Sequence, residues 1–195
     1  MARKKTITRD QILKAAYDVV AKDGFSKFTA RNIAAKMNCS TQPIYLEFKN
    51  MEDLKQELIK SVLEGLSKNE LSKEQTGDDL VDLGLNYVEF ANKEKNLYKS
   101  LFMENDFDGQ KVHELSYEYF KKDIVQGEKY EGLSEEKIHS IYKGFWIIVS
   151  GLAALSSSNI ISFSKEDTAD FLKKAVDIIM NQKEEINLSF DQINH

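Results

Sequence analysis

Apolar residues recur at helical spacing along almost the whole chain. In the first segment Ile12, Ala15, Ala16, Val19 and Val20 fall on one face, the pattern of an amphipathic helix. Thr8-Arg9-Asp10-Gln11 before them reads as a capping box, with Ile7 and Ile12 at staple positions. Gly24 supplies the stop. A second helix is predicted from Thr29, with Phe28 and Ile33 as its staple and Ile33, Ala34 and Met37 as its stripe. Asn38, a residue that tolerates left-handed backbone, marks a tight turn. A short third helix follows within Cys39-Ser40-Thr41-Gln42-Pro43-Ile44-Tyr45-Leu46-Glu47-Phe48. Asn50 then caps a long fourth helix through Leu54, Leu58, Ile59, Val62, Leu63 and Leu66. Five more are predicted at about 78–92, 95–104, 110–127, 134–157 and 165–184, with 186–195 as a frayed tail.

The expected fold is therefore all-α, with about nine helices. Three short helices at the front form a helix-turn-helix domain, residues 1–50. A long helix joins it to a helical domain over residues 51–195. No Pro/Gly/Ser-rich linker or repeat separates the two. One proline and nine glycines in 195 residues agree with a helical chain. That proline, Pro43, constrains where the third helix starts, because proline costs about 3 kcal/mol or more inside a helix but is tolerated in its first turn. With Ser40, Thr41 or Gln42 as N-cap, Pro43 becomes the third, second or first helical residue. The bias of pre-proline residues away from the helical region favours the later start.

Cysteine and charge narrow the class. The only cysteine, Cys39, cannot form an internal disulfide and points to a reducing compartment. No basic-then-apolar signal segment opens the chain, and the longest apolar run, Gly144 to Leu155, has 12 residues. That run is too short to cross a bilayer, so a cytoplasmic protein with no membrane partner is expected. The net charge of −5 is unevenly spread: residues 1–55 carry 11 Lys/Arg and 6 Asp/Glu, a net of +5, and the remaining 16 and 26 give −10. A basic front on an acidic body implies an anionic partner for the front alone.

A helix, tight turn and helix over residues 29–48 is the arrangement that places a recognition helix in the DNA major groove. Thr29-Ala30-Arg31-Asn32-Ile33-Ala34, then Ser40 to Phe48, then Glu52-Asp53-Leu54 resembles the N-terminal domain of TetR-family transcriptional regulators, including its tyrosine-x-x-phenylalanine spacing at Tyr45 and Phe48. The resemblance is strong over about residues 7–55 and weaker beyond. Ile44 and Phe48, four apart, are expected to pin the third helix to the core, leaving Thr41, Gln42 and Tyr45 to face outward, with Ser40 beside them as a further DNA-binding candidate. Gln42 suits a bidentate contact with adenine. Thr41, Tyr45 and Lys49 suit phosphates, and Pro43 suits an apolar contact such as a thymine methyl. By resemblance, Thr29 and Arg31 contact phosphate or base edges. Arg3, Lys4 and Lys5 form a basic arm for the backbone or a minor groove. Two departures bear on these contacts. Glu47 stands where family members often have His or Tyr, and needs cytosine N4 or a neighbour such as Arg31 or Lys49. Met51 stands where a lysine is common.

The segment 134–157 is apolar nearly all round, so it must be buried on all sides. The resemblance implies that it and the last helix form a four-helix interface with a second copy, through Phe145, Val149, Leu152, Phe171, Ala175, Ile178 and Ile179. An intrachain core is the other reading of the same stripe. The resemblance also implies a ligand pocket, with Tyr87, Tyr98, Phe102, Tyr117, Tyr142 and Trp146 as its candidates. Tyr and Trp can orient a ligand through a polar group, though core packing accounts for such aromatics as well. His113, His139 and His195 lie far apart and show no metal-ligand spacing, and no catalytic motif or cofactor loop appears. The expected function is a dimeric, ligand-responsive repressor of a pseudo-palindromic DNA operator, released by a small-molecule effector. It is neither an enzyme nor a holder of metal or cofactor. The alternative is a helical binding or docking module whose DNA surface is degenerate, for which Glu47 and Met51 argue.

Overall fold

The computed structural model describes residues 7–103, 109–184 and 186. Among them every regular element is helical, as the apolar spacing predicts. The helices are α1 (Arg9–Asp23), α2 (Ala30–Lys36), α3 (Gln42–Glu47), α4 (Met51–Gly65) and α5 (Asp79–Lys93). Then come α6 (Lys95–Phe102), α7 (Gly109–Tyr119), α8 (Glu135–Ser157) and α9 (Lys165–Asn181). They gather into two compact units: residues 1–64 with 96–107, and residues 65–95 with 108–195.

In the first unit the local signals act as read. Thr8 Oγ1 accepts from Gln11 N at 3.3 Å while Gln11 Oε1 accepts from Thr8 N at 3.1 Å, closing the capping box that starts α1. Gly24 ends α1 at φ +75°, a left-handed conformation that costs glycine nothing. Thr29 caps α2 by accepting from Asn32 N at 3.2 Å. At the other end of α2, Asn38 takes φ +53°. Cys39 N then donates to Ala34 O and Asn38 N to Ala35 O, both at 3.1 Å, which is a Schellman stop. Asn50 Oδ1 accepts from Asp53 N at 2.8 Å, and Asp53 Oδ2 accepts from Lys49 N at 2.9 Å, so α4 starts on a reciprocal cap. Ile12, Val20, Ile33, Ile44 and Leu54 are all fully buried and form this unit's core. Asn96 of α6 donates from Nδ2 to Lys22 O at 2.9 Å, at the end of α1.

The second unit is built around α5, which packs against α8 and α9 and buries eleven of its fifteen residues. Gly84 permits the close approach: a Cβ there would lie 2.8 Å from Leu172 Cδ1 of α9. The segment before α5 is tied down by two buried polar residues on α5. The Asp82 carboxylate accepts from Gln75 N (3.0 Å), Thr76 N (2.7 Å), Thr76 Oγ1 (2.6 Å) and Gly77 N (3.2 Å). Asn86 Nδ2 donates to Leu71 O at 3.0 Å and Lys73 O at 2.7 Å. Burial pushes the Asp82 carboxyl up, but the Thr76 hydroxyl and the three backbone N–H groups outweigh that and hold it below the ordinary aspartate range.

Two features depart from the sequence reading. First, although its unbroken apolar run is short, α8 as a whole is long and apolar enough by composition to cross a bilayer. Here one side of it (Ile141, Phe145, Val149 and Leu152) is buried within the unit. Second, Ile186, expected to open a frayed tail, is bonded: its N–H donates to Ser140 Oγ at 2.7 Å. Residues 187–195, His195 among them, lie outside the described residues.

Candidate nucleic-acid interface and aromatic cluster

The helix α3 is six residues long, too short to be stable alone, so its setting decides its shape. Ile44 and Phe48 are buried, at 0% and 2% exposure, and anchor it to the first unit. Thr41 is its N-cap, with φ −74° and ψ −14°, and makes no side-chain capping bond. Pro43 is thus the second helical residue, where its missing N–H has no intrahelical partner to lose. That settles the three starts left open by the sequence. Gln42 and Ser40 are exposed, and Thr41 and Pro43 half-buried. Tyr45 is 54% and Leu46 76% exposed, so the outward face of α3 is Gln42, Tyr45 and Leu46. Leu46 was not among the sequence candidates. Its place four residues after Gln42 is the signal that could have found it.

Arg31 and Lys49 are exposed in the same unit, as is Thr29, whose hydroxyl oxygen is already occupied in capping α2. Arg3, Lys4 and Lys5 lie outside the described residues. Glu47 is engaged through its carbonyl rather than its carboxylate: Arg9 Nη1 donates to Glu47 O at 2.9 Å. Arg9 Nη2 also lies 3.1 Å from Glu57 Oε2, and the guanidinium sits 4.2 Å over the Phe48 ring. The sequence reading gave Arg9 only a place within the capping box.

The six ligand candidates divide between the two units. Tyr98 and Phe102 are neighbours on α6, with ring centroids 5.6 Å apart, and belong to the first unit. The other four meet in the second: Tyr117–Tyr142 at 5.0 Å, Tyr142–Trp146 at 5.6 Å and Tyr87–Trp146 at 6.3 Å. Two histidines join them. His113 lies 5.2 Å from the Tyr142 ring, and His139 lies 4.7 Å from Tyr117. Sequence distance hid this meeting, because α7 and α8 bring residues 113 and 139 together only in the fold. Tyr142 Oη lies 3.2 Å from His113 Nδ1 and donates to His113 O at 3.3 Å. Tyr117 Oη donates to Glu135 Oε1 at 3.1 Å, and Lys121 Nζ lies 3.0 Å from the same oxygen. Burial, then the Tyr117 phenol, pushes the Tyr142 hydroxyl up. Burial, then the bond to Glu135, does the same for Tyr117. Both phenols stay neutral at physiological pH, with their single O–H donors engaged by His113 O and Glu135 Oε1, so each oxygen is left as an acceptor.

Of the seven residues read as an interface with a second copy, five are packed inside the second unit. Phe145, Val149, Leu152, Ala175 and Ile179 are each buried to below a tenth exposure, facing the unit's own core. Phe171 and Ile178 point outward at 51% and 71%. On α8 the outward apolar positions are Ile147 and Leu155, with Gly151 between them facing open space. An all-round apolar helix hides which of its stripes faces inward. Only the position of α5 decides it.

A family model for bacterial regulatory proteins of the tetR family matches residues 12–58. That span runs from the first buried residue of α1 to Leu58 in α4, and so contains all of α2 and α3. The match is thus to the N-terminal domain of that family, over residues 12–58. The Probable HTH-type transcriptional regulator YttP of Bacillus subtilis (strain 168) is 25% identical over 138 residues, which covers 64% of this chain and 67% of that protein. Among solved structures, a TetR-family protein of Vibrio parahaemolyticus has a TM-score of 0.67 at 17% identity, over 87% of this chain and 96% of that one. The fatty acid degradation regulator FadR of Bacillus halodurans scores 0.62 at 16% identity, over 94% and 100%. FadR of Bacillus subtilis, solved with stearoyl-CoA, scores 0.56 at 18%, over 89% and 98%. At such identities these structures are alike in fold.

Proposed function

We propose that this protein is a cytoplasmic TetR-family repressor that binds a pseudo-palindromic operator as a homodimer and leaves it when a small molecule binds. The observation that carries this is the division of α3 into a buried edge, Ile44 and Phe48, and an exposed polar and apolar face. Gln42 there reads adenine. Tyr45, Thr41, Ser40 and Lys49 hold phosphates, as do Thr29 and Arg31 on α2. Pro43 and Leu46 supply apolar contact with thymine methyls. The arm Arg3-Lys4-Lys5 adds charge along the backbone. One such helix reads few bases, so two copies must bind together. The outward stripes Ile147–Gly151–Leu155 on α8 and Phe171–Ile178 on α9 are the surface for that pairing.

The effector site is the cluster of Tyr87, Tyr117, Tyr142 and Trp146, now joined by His113 and His139. Aromatic ring faces with a few phenol and imidazole groups suit a largely apolar ligand with one polar head. Two of the structural neighbours are FadR proteins and one was solved with stearoyl-CoA, so a long-chain acyl-CoA is the first ligand to try. The function is binding, with no catalytic step. A gel-shift titration against DNA upstream of the protein's own gene tests the reading. Sequence-specific retardation that stearoyl-CoA or palmitoyl-CoA reverses is expected. A folded dimer that binds this DNA no better than scrambled duplex contradicts it.

A further inference from the structure

The six-residue helix α3 is anchored by Ile44 within it and by Phe48, its extended C-cap residue, with Thr41 and Pro43 half-buried. Two fully buried anchors four residues apart define a line about which the helix can still roll, and roll decides where Gln42 and Tyr45 point. Its N-terminal end offers no side-chain cap. At its C-terminal end the last carbonyls have no intrahelical donor, and one of them, Glu47 O, is taken by Arg9 Nη1 at 2.9 Å. The same guanidinium reaches Glu57 Oε2 on α4 at 3.1 Å and stacks 4.2 Å over Phe48. Arg9 is itself the first residue of α1, next to the capping box at Thr8, so its backbone is fixed. One planar side chain thus joins α1, the end of α3 and α4.

Resting on the operator-binding reading above, we infer that Arg9 is a positioning residue for operator recognition: it sets the roll of α3 and thereby which base edges Gln42 meets. The Arg9–Glu57 pair is too exposed, at 40% and 43%, for its charge attraction alone to count for much. What the site needs is the fork and the flat face. Arginine presents parallel donors and a stacking plane, and lysine has neither. Glu57, an acid on the DNA-binding unit, serves here by holding the far side of the fork.

The test uses the full-length dimer and operator duplexes selected in vitro from random DNA. Wild type, Arg9→Lys and Glu57→Gln are compared on the selected site and on scrambled duplex, across a salt series, with melting temperature as a control. Arg9→Lys keeps the charge, so affinity for scrambled DNA and the salt slope stay put. Preference for the selected site falls about tenfold, the loss of roughly one base-edge contact. Glu57→Gln removes a negative charge and so strengthens binding to any DNA through the field, yet it lowers the preference for the selected site in the same direction as Arg9→Lys. A uniform loss for Arg9→Lys on selected and scrambled duplex, or unchanged preference in both variants, overturns the inference. If selection returns no site at all, the operator-binding reading fails together with this one.

Discussion

The two helices that matter most here, α3 and α8, are opposites. In α3 the inward and outward residues are chemically distinct: Ile44 and Phe48 are buried, while Gln42 and Tyr45 are exposed. In α8 both sides are apolar. Phe145, Val149 and Leu152 face the core, and Ile147 and Leu155 face outward. A face that meets DNA must carry polar groups, and those show in the sequence. A face that meets a second copy is made of the same residues as a core, and spacing alone cannot separate the two.

The sharpest way to break this contrast is at the anchors. Phe48→Ala should remove about 3–5 kcal/mol from the first unit, and specific DNA binding should go with it, read by chemical denaturation beside a gel shift. An Ile147→Ala change, on the outward side of α8, should cost the folded protomer little by comparison. Ile178→Asp, at the most exposed apolar position of α9, should leave the protomer folded and shift the dimer toward monomer in sedimentation velocity.

The next effect concerns the second unit's polar clamp. Asp82→Asn replaces an acceptor of four hydrogen bonds and should cost on the order of 2 kcal/mol near neutral pH. The folded-state pKa of Asp82 lies below its unfolded value. Its contribution is therefore fully present above the ordinary aspartate pKa and is lost as pH falls through the lower, folded value. Wild type should lose stability over that acid window more steeply than Asp82→Asn. Equal acid profiles would show that the clamp carries no linked proton. A smaller effect is expected at Thr29→Ala, about 1 kcal/mol from the lost cap of α2, measured by thermal melting.

Local chemistry accounts for how much could be read in advance. Thr8 with Gln11, Asn38 at the turn and Pro43 in a first turn each act within a few residues, and each takes the conformation its neighbours demand. Three groups needed the tertiary structure. Arg9 reaches Glu47 and Glu57 across long stretches of chain. Asp82 and Asn86 look like ordinary polar residues of an amphipathic helix until the segment 71–77 wraps over them. Tyr98 and Phe102 resemble Tyr117 and Tyr142 in type, yet they belong to a different compact unit. The resemblance put the inward stripe of α8 in an interface with a second copy, with an intrachain core as the other reading, and that stripe faces the unit's own core because α5 packs on that side.

The most direct measurement is the affinity of the wild-type dimer and of Gln42→Ala for the DNA upstream of the gene, against scrambled duplex at physiological salt. If the outward face of α3 reads an operator, wild type prefers the upstream DNA and Gln42→Ala loses about tenfold of that preference while binding scrambled DNA unchanged. A wild type with no preference, or a Gln42→Ala variant that keeps all of it, would contradict that claim.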